Sequence, residues 1–112
     1  GHSLETAVRA ELERRGARLS YVRTREGYEV DFLARTPSGD ANLIQVCADP
    51  GDPATLDREI RALLAAAGEH PGAGLELVTL SIGGAGDVPP RIVVRQAAEW
   101  FLAGSPSPAE PA

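Results

Sequence analysis

The sequence predicts a single α/β domain of the α+β type, and three observations support this fold class. Apolar residues recur at helical spacing near the start of the chain and again after residue 52. Between these two segments lie β-type runs separated by turn residues. A chain of 112 residues is long enough for one hydrophobic core and too short for two. We therefore expect a helix, a three-stranded meander, a second helix and a further strand.

The first helix is predicted over residues 4–15. Leu4, Val8 and Leu12 follow the spacing of one helical face, and Gly16 stands where a C-terminal glycine cap would end the helix. The Gly-His-Ser opening without a methionine resembles what a protease leaves after removal of an affinity tag. We therefore assign residues 1–3 to a tag remnant and begin the domain at residue 4.

A hairpin is predicted next, with one strand over 19–25 and a second over 28–35. A Glu-Gly turn separates the two runs, and both are rich in β-branched and aromatic residues. In the second run, strict alternation places Tyr28, Val30 and Phe32 on one face of the sheet.

The third strand, predicted over 43–47, is apolar on both faces and therefore central in the sheet. Asp52 followed by proline starts a second helix that we place at about 53–67. A nearly continuous β-type run over 75–82 predicts a buried strand. The remaining predictions are a glycine-rich loop at 83–86, a short edge strand at 91–94, a closing helix at 96–102, the end of the domain at 103 and a disordered Ser/Pro/Ala tail at 104–112.

The charge distribution indicates where an anionic partner would bind. The net charge is −5, which argues against a protein that coats nucleic acid through a strongly basic surface. Arginines nevertheless outnumber acids over residues 9–35, whereas acids predominate afterwards. The alternative is a solvated surface of mixed charge. The predicted phosphate-contacting residues are Arg14, Arg15, Arg18, Arg23 and Arg25.

Cysteine usage and hydropathy favour a cytoplasmic protein. The single cysteine cannot form an internal disulfide, and no apolar run approaches the roughly 18 residues of a membrane-spanning helix. We therefore expect no membrane partner.

Polar side chains on the two central strands form the candidate site. Period-two alternation puts Gln45 and Cys47 on one face of the third strand, and Asp31 lies on the neighbouring strand within an otherwise apolar run. An amide in the middle of an apolar strand needs hydrogen-bond partners, so Gln45 is unlike an ordinary core residue. Cys47 is interpreted as a packed core thiol.

The element order, the segments YEVDF and LIQVC, and the later DP and REIRALLAA segments resemble the PD-(D/E)xK nuclease superfamily. More narrowly, they are similar to the nuclease-like C-terminal domain behind the ATPase domain of a widespread prokaryotic family of AAA-type ATPases. The resemblance implies a restriction-endonuclease-like core. It matches Asp31 to the metal-binding aspartate and Glu5 to the helix glutamate, while Gln45 replaces the second acid and Cys47 replaces the lysine.

These replacements imply a degenerate active site. Mg²⁺ prefers carboxylate oxygens, and a neutral amide removes one negative charge from the site. A buried thiol cannot supply the positive charge of a lysine. We therefore expect weak or no metal binding at Asp31, no cofactor, and an accessory domain that contacts its own ATPase domain, another protein or nucleic acid. The alternative is an active Mg²⁺-dependent DNA endonuclease with a rearranged D…Q-x-C site.

Two of the acids also have ordinary structural interpretations. Asp31 would then be held by an arginine such as Arg23 or Arg35. Glu5, in the first helical turn, would interact favourably with the helix dipole and pair with Arg9 four residues later.

Overall fold

The computed structural model describes residues 2–80 and 88–103. It confirms an α+β domain with the predicted order of elements. Among these residues, no helix combines the length and the apolar character needed to cross a membrane. The glycine-rich loop and the tail predicted from sequence lie outside the described residues.

The elements are α1 (His2–Arg14), β1 (Arg18–Arg23), β2 (Glu29–Arg35), β3 (Ala41–Cys47), α2 (Pro53–Glu69), β4 (Gly74–Thr79), β5 (Ile92–Gln96) and α3 (Ala97–Ala103).

The five strands form one mixed sheet in the order β1-β2-β3-β4-β5. The β1–β2 and β2–β3 pairs are antiparallel because short turns join them. The β3–β4 and β4–β5 pairs are parallel, and α2 makes the crossover from β3 to β4. β3 therefore lies at the centre, between the antiparallel and the parallel halves of the sheet.

The two faces of the sheet are covered by different helices. α2 packs on one face, and α1 and α3 contribute to the core on the other. Because β3 is covered on both sides, Leu43 and Ile44 are both buried although they point in opposite directions. The core under α2 includes Val22, Val30, Leu33, Leu43, Cys47, Leu63 and Leu77. The core under α1 and α3 includes Leu4, Val8, Leu12, Phe32, Ile44, Val78 and Trp100.

The two longer helices differ in how they end: α1 ends at its glycine, whereas α2 continues past its glycine. After α1, Gly16 adopts a φ of +84°, the Gly16 amide donates to Glu13 O, and the Ala17 amide donates to Leu12 O. This is the glycine cap predicted from sequence. α2 instead continues through Gly68 to Glu69. A helical glycine costs only about 1 kcal/mol relative to alanine, and burial of the preceding turn offsets that cost.

The prediction that side chains alternate strictly between the two faces of the sheet along β2 is wrong. Val30 belongs to the core under α2, whereas Phe32 belongs to the opposite core. The cause is a β-bulge: Val22 pairs with Val30 and Ser20 pairs with Leu33, so β2 carries one residue more than β1 between these pairs. The bulge falls at Asp31 and Phe32.

Candidate functional site

The candidate site lies where β2 and β3 separate. Their paired residues run from Arg35 and Ala41 to Phe32 and Ile44. Beyond Phe32, side chains replace the regular ladder of backbone hydrogen bonds. We call this group, which consists of Glu29, Asp31, Gln45 and Val46, the polar seam.

Three hydrogen bonds close the polar seam. The Asp31 amide donates to Gln45 Oε1 at 2.8 Å, and Gln45 Nε2 donates to the Glu29 carbonyl at 3.0 Å. The Val46 amide donates to Asp31 Oδ2 at 2.8 Å. Gln45 is only 2 % exposed, so unpaired backbone groups at this point would carry a large desolvation cost. The structure thus brings Asp31 and Gln45 into direct contact and uses both to hold the two strands together.

Asp31 also faces two other acids. Glu5 on α1 hydrogen-bonds the Asp31 carboxyl group, and Glu59 on α2 adds a second nearby negative charge. Burial is the main cause that raises the pKa of Asp31 to about 7; the Val46 amide opposes this shift, and the two glutamates reinforce it.

Two cavities meet at this acid cluster. One, of about 460 Å³, is lined by Asp31 and Gln45, and the other, of about 360 Å³, is lined by Glu5, Asp31 and Cys47. Arg58 and Glu59 line both cavities. A small ligand at either cavity would therefore meet carboxyl groups and one guanidinium.

Glu59 and Arg58 were not predicted from sequence. Glu59 is partly buried, burial raises its pKa, and its carboxylate lies 3.6 Å from the Arg58 guanidinium. A signal was present in the sequence, because Glu59 falls three residues after Leu56 and four before Leu63 on the apolar stripe of α2. An acid within such a stripe faces the sheet.

Cys47 packs in the core under α2. Burial raises the pKa of the Cys47 thiol, and the negative charge of Glu59 raises it further. The thiol is therefore neutral near pH 7 and provides no positive charge beside Asp31.

The oxygen atoms of Asp31 and Gln45 that could bind a divalent metal ion have other partners. One Asp31 oxygen and the Gln45 oxygen already accept backbone amides, and the Asp31 carboxyl group is hydrogen-bonded to Glu5. Within residues 2–80 and 88–103, no three acidic, histidine or cysteine side chains are arranged to hold a metal. A magnesium ion that used Asp31 Oδ2 or Gln45 Oε1 would compete with these backbone amides.

The arginine partners that the structural interpretations gave to Asp31 and Glu5 are wrong. No ion pair within the described part of the chain includes Asp31, which is held by a backbone amide instead of an arginine. Arg9 lies 4.0 Å from Glu13 and makes no ion pair with Glu5. α1 presents Glu5 towards the sheet, where Asp31 is its neighbour.

The predicted phosphate-contacting arginines occupy different environments. Arg14 and Arg15 both bind Glu11 at the end of α1, and Arg15 also donates to the Trp100 carbonyl at 2.6 Å. Arg18 and Arg23 are exposed on the edge strand β1. Arg25 is exposed in the following turn, where its backbone amide donates to Glu69.

The chain shows no significant match to a protein-family model, a curated protein or a solved structure. The fold itself defines the chain as an α+β domain with a mixed five-stranded sheet. Its distinguishing feature is the polar seam, flanked by the acids on α1 and α2.

Proposed function

We propose that this chain is a catalytically degenerate, nuclease-like accessory domain, and that it is the C-terminal domain of a larger cytoplasmic ATPase. In this role it contacts its own ATPase domain, another protein or nucleic acid. The observation that carries the proposal is the use of Asp31 and Gln45, the two residues at inherited catalytic positions, in hydrogen bonds that join β2 to β3.

The order of the elements also supports a nuclease-derived core. A helix, an antiparallel meander, a crossover helix and a parallel strand occur in sequence, with Asp31 on the second strand and Gln45 on the third. These are the places that the PD-(D/E)xK resemblance implies. The lysine that would complete the site is absent from the whole sequence.

Hydrolysis of a phosphodiester needs a polarised phosphate and an activated water, which magnesium nucleases obtain from the metal. The polar seam has no free pair of carboxylate and amide oxygens for this purpose. We therefore expect no cleavage of plasmid or single-stranded DNA with Mg²⁺ or Mn²⁺.

The decisive assay compares the wild-type domain with Asp31→Asn. The asparagine keeps an oxygen for the Val46 amide and removes the negative charge, so the fold is retained. Calorimetric titration with Mn²⁺ measures metal binding, and plasmid nicking measures activity. Sub-millimolar Mn²⁺ binding together with nicking, both abolished by Asp31→Asn, would establish the alternative magnesium-dependent endonuclease.

The ATPase connection has its own test. The full reading frame that encodes this domain should contain an AAA-type ATPase domain upstream of it. Co-expression of the two parts should then give a complex that survives purification, and exchange of Glu5 or Arg58 for alanine will show whether the acid cluster contributes to it. A reading frame without an ATPase domain would contradict this part of the proposal.

A further inference from the structure

Two arginines face each other at the end of the β1–β2 hairpin that is distant from its turn. Arg18 on β1 and Arg35 on β2 are direct partners in the antiparallel register. Such partners lie on the same face of the sheet with Cβ atoms about 5 Å apart, and like charges in this arrangement repel each other. A negative counter-charge would be expected beside them.

Neither arginine is paired in the described part of the chain: none of its ion pairs includes Arg18 or Arg35, and both arginines are exposed. Two acids, Asp40 and Glu69, line a cavity together with Arg35, but none of the ion pairs among the described residues joins either of them to it. Asp40 accepts the Ser38 hydroxyl at 3.4 Å, and Glu69 accepts the Arg25 amide at 2.8 Å.

The arginine pair lines a cavity of about 510 Å³. Its other walls are formed by Gly16 after α1 and by the turn between β2 and β3, which includes Thr36 and Gly39. Gly39 has a φ of +97°, and a Cβ atom there would meet nothing within 4 Å, so this side of the cavity is open. A ligand can therefore reach both guanidinium groups from solvent.

We propose that Arg18 and Arg35 form a binding site for a phosphate group. A phosphate monoester carries close to two negative charges near pH 7 and has several acceptor oxygens, so it can neutralise both arginines at once. A single carboxylate would leave one positive charge uncompensated. Guanidinium forks match phosphate oxygens in geometry as well as in charge.

This site involves neither Asp31 nor the polar seam, and it deepens the proposed function only where the phosphate belongs to a nucleic acid. It would persist in a domain that cuts DNA and in one that does not. The phosphate can come from a free phosphate or nucleotide, or from the backbone of a nucleic acid. Both sources present anionic phosphate oxygens, and the choice of probe separates them: a terminal phosphate brings close to two negative charges, whereas a nucleic-acid backbone must bring two adjacent diesters, each with one charge, to neutralise both arginines.

The test is a calorimetric titration of the intact domain with three probes: inorganic phosphate, adenosine monophosphate, and a single-stranded oligonucleotide without terminal phosphates. The variants are Arg18→Gln and Arg35→Gln. Arg91→Gln is the matched control, because Arg91 is exposed at the start of β5, on the opposite edge of the sheet. Each site variant should weaken binding about tenfold or more, since one of two charge-assisted contacts is lost, and the control should bind like the wild type.

Thermal unfolding separates a ligand site from a structural role. Removal of one charge from a repelling pair should leave the melting temperature unchanged or raise it.

Binding of inorganic phosphate or the monophosphate would support a site for a free or terminal phosphate. Binding of the oligonucleotide alone would support a site for a nucleic-acid backbone. The proposal would be overturned by no saturable binding of any probe, by binding that both variants retain, or by a loss of binding that accompanies a lower melting temperature.

Discussion

The side chains of Gln45 and Asp31 make hydrogen bonds between β2 and β3 that backbone groups make elsewhere in the sheet. The Gln45 amide spans the Asp31 amide and the Glu29 carbonyl, and Asp31 in turn accepts the Val46 amide. These bonds lie at the border between the β2–β3 ladder and the acid cluster. Asp31 and Gln45 therefore hold the two strands together where the backbone ladder ends.

Gln45→Leu should lower the free energy of unfolding by about 3 kcal/mol, because it leaves the part-buried Asp31 amide and Glu29 carbonyl without these partners next to a buried side chain. Gln96→Leu is the matched control: its amide also binds two backbone groups, the Leu80 carbonyl and the Glu99 amide, but in an exposed setting. Water can replace those bonds, so the control should lose only about 1 kcal/mol. Urea unfolding of both variants measures the difference, and equal losses would contradict the role given to the polar seam.

The raised pKa of Asp31 predicts a pH-dependent contribution to stability. The unfolded chain loses this proton near an ordinary pKa of about 3.9, whereas the folded domain retains it up to about 7. The stabilisation from the protonated carboxyl is therefore complete below about pH 4 and is lost as the pH rises through 7.

Asp31→Asn removes this titration and keeps an acceptor for the Val46 amide. The free energy of unfolding of the wild type, minus that of the variant, should therefore fall between about pH 4 and pH 7 and then level off. Denaturant unfolding at several pH values gives this difference directly. A difference that rises with pH would mean that Asp31 is ionised and paired in the folded domain.

α1 is joined to α3 by one arginine. The Arg15 guanidinium lies 4.1 Å from the centre of the Trp100 ring and donates to the Trp100 carbonyl. It also binds Glu11, and hydrogen bonds from Arg14 and Arg15 hold the pKa of Glu11 at about 2. Trp100 is buried in the core under these two helices, so Arg15 covers its exposed side.

Arg15→Ala should destabilise the domain by about 1–2 kcal/mol, because it removes a cation–π contact and a hydrogen bond to the carbonyl of the buried Trp100. Arg14→Ala provides the control, since Arg14 binds the same Glu11 from an exposed position and should cost no more than about 0.5 kcal/mol. Thermal unfolding together with Trp100 fluorescence measures both effects. If the two variants behaved alike, Arg15 would not join the helices.

The whole molecule carries its positive charge unevenly. The net charge is −5, and Arg18, Arg23 and Arg25 are exposed on and beside β1 at one edge of the sheet. Arg14 and Arg15 are engaged with Glu11, which leaves the strand and turn arginines as the accessible part of the predicted group. Any nucleic acid should therefore approach this edge.

Double substitution of Arg23 and Arg25 by glutamine should weaken binding of single-stranded DNA and reduce its salt dependence. Each lost phosphate contact lowers the magnitude of the slope of log K against log salt by about 0.7 for a single strand. Arg61→Gln serves as the control, because Arg61 is paired with Asp57 on α2 at 2.9 Å. Fluorescence anisotropy over a salt series measures the slope, and a weak, salt-independent signal would point to a protein partner.

The linear sequence was sufficient for the order of the elements, because each carries a local signal. The spacing of Leu4, Val8 and Leu12 predicted α1, the glycine at 16 predicted its end, and the two apolar faces of β3 predicted a central strand. It also placed Asp31 and Gln45 on neighbouring strands. These features depend on residues close together in the chain.

Only the tertiary structure decided what those side chains bind. The bulge that turns Val30 and Phe32 to opposite faces depends on the pairing of β2 with β1, and the partner of Asp31 is a backbone amide of β3. The approach of Glu59 depends on how α2 packs on the sheet. Periodicity assigns a residue to a face, but contacts between distant segments depend on register and packing, which no local pattern encodes.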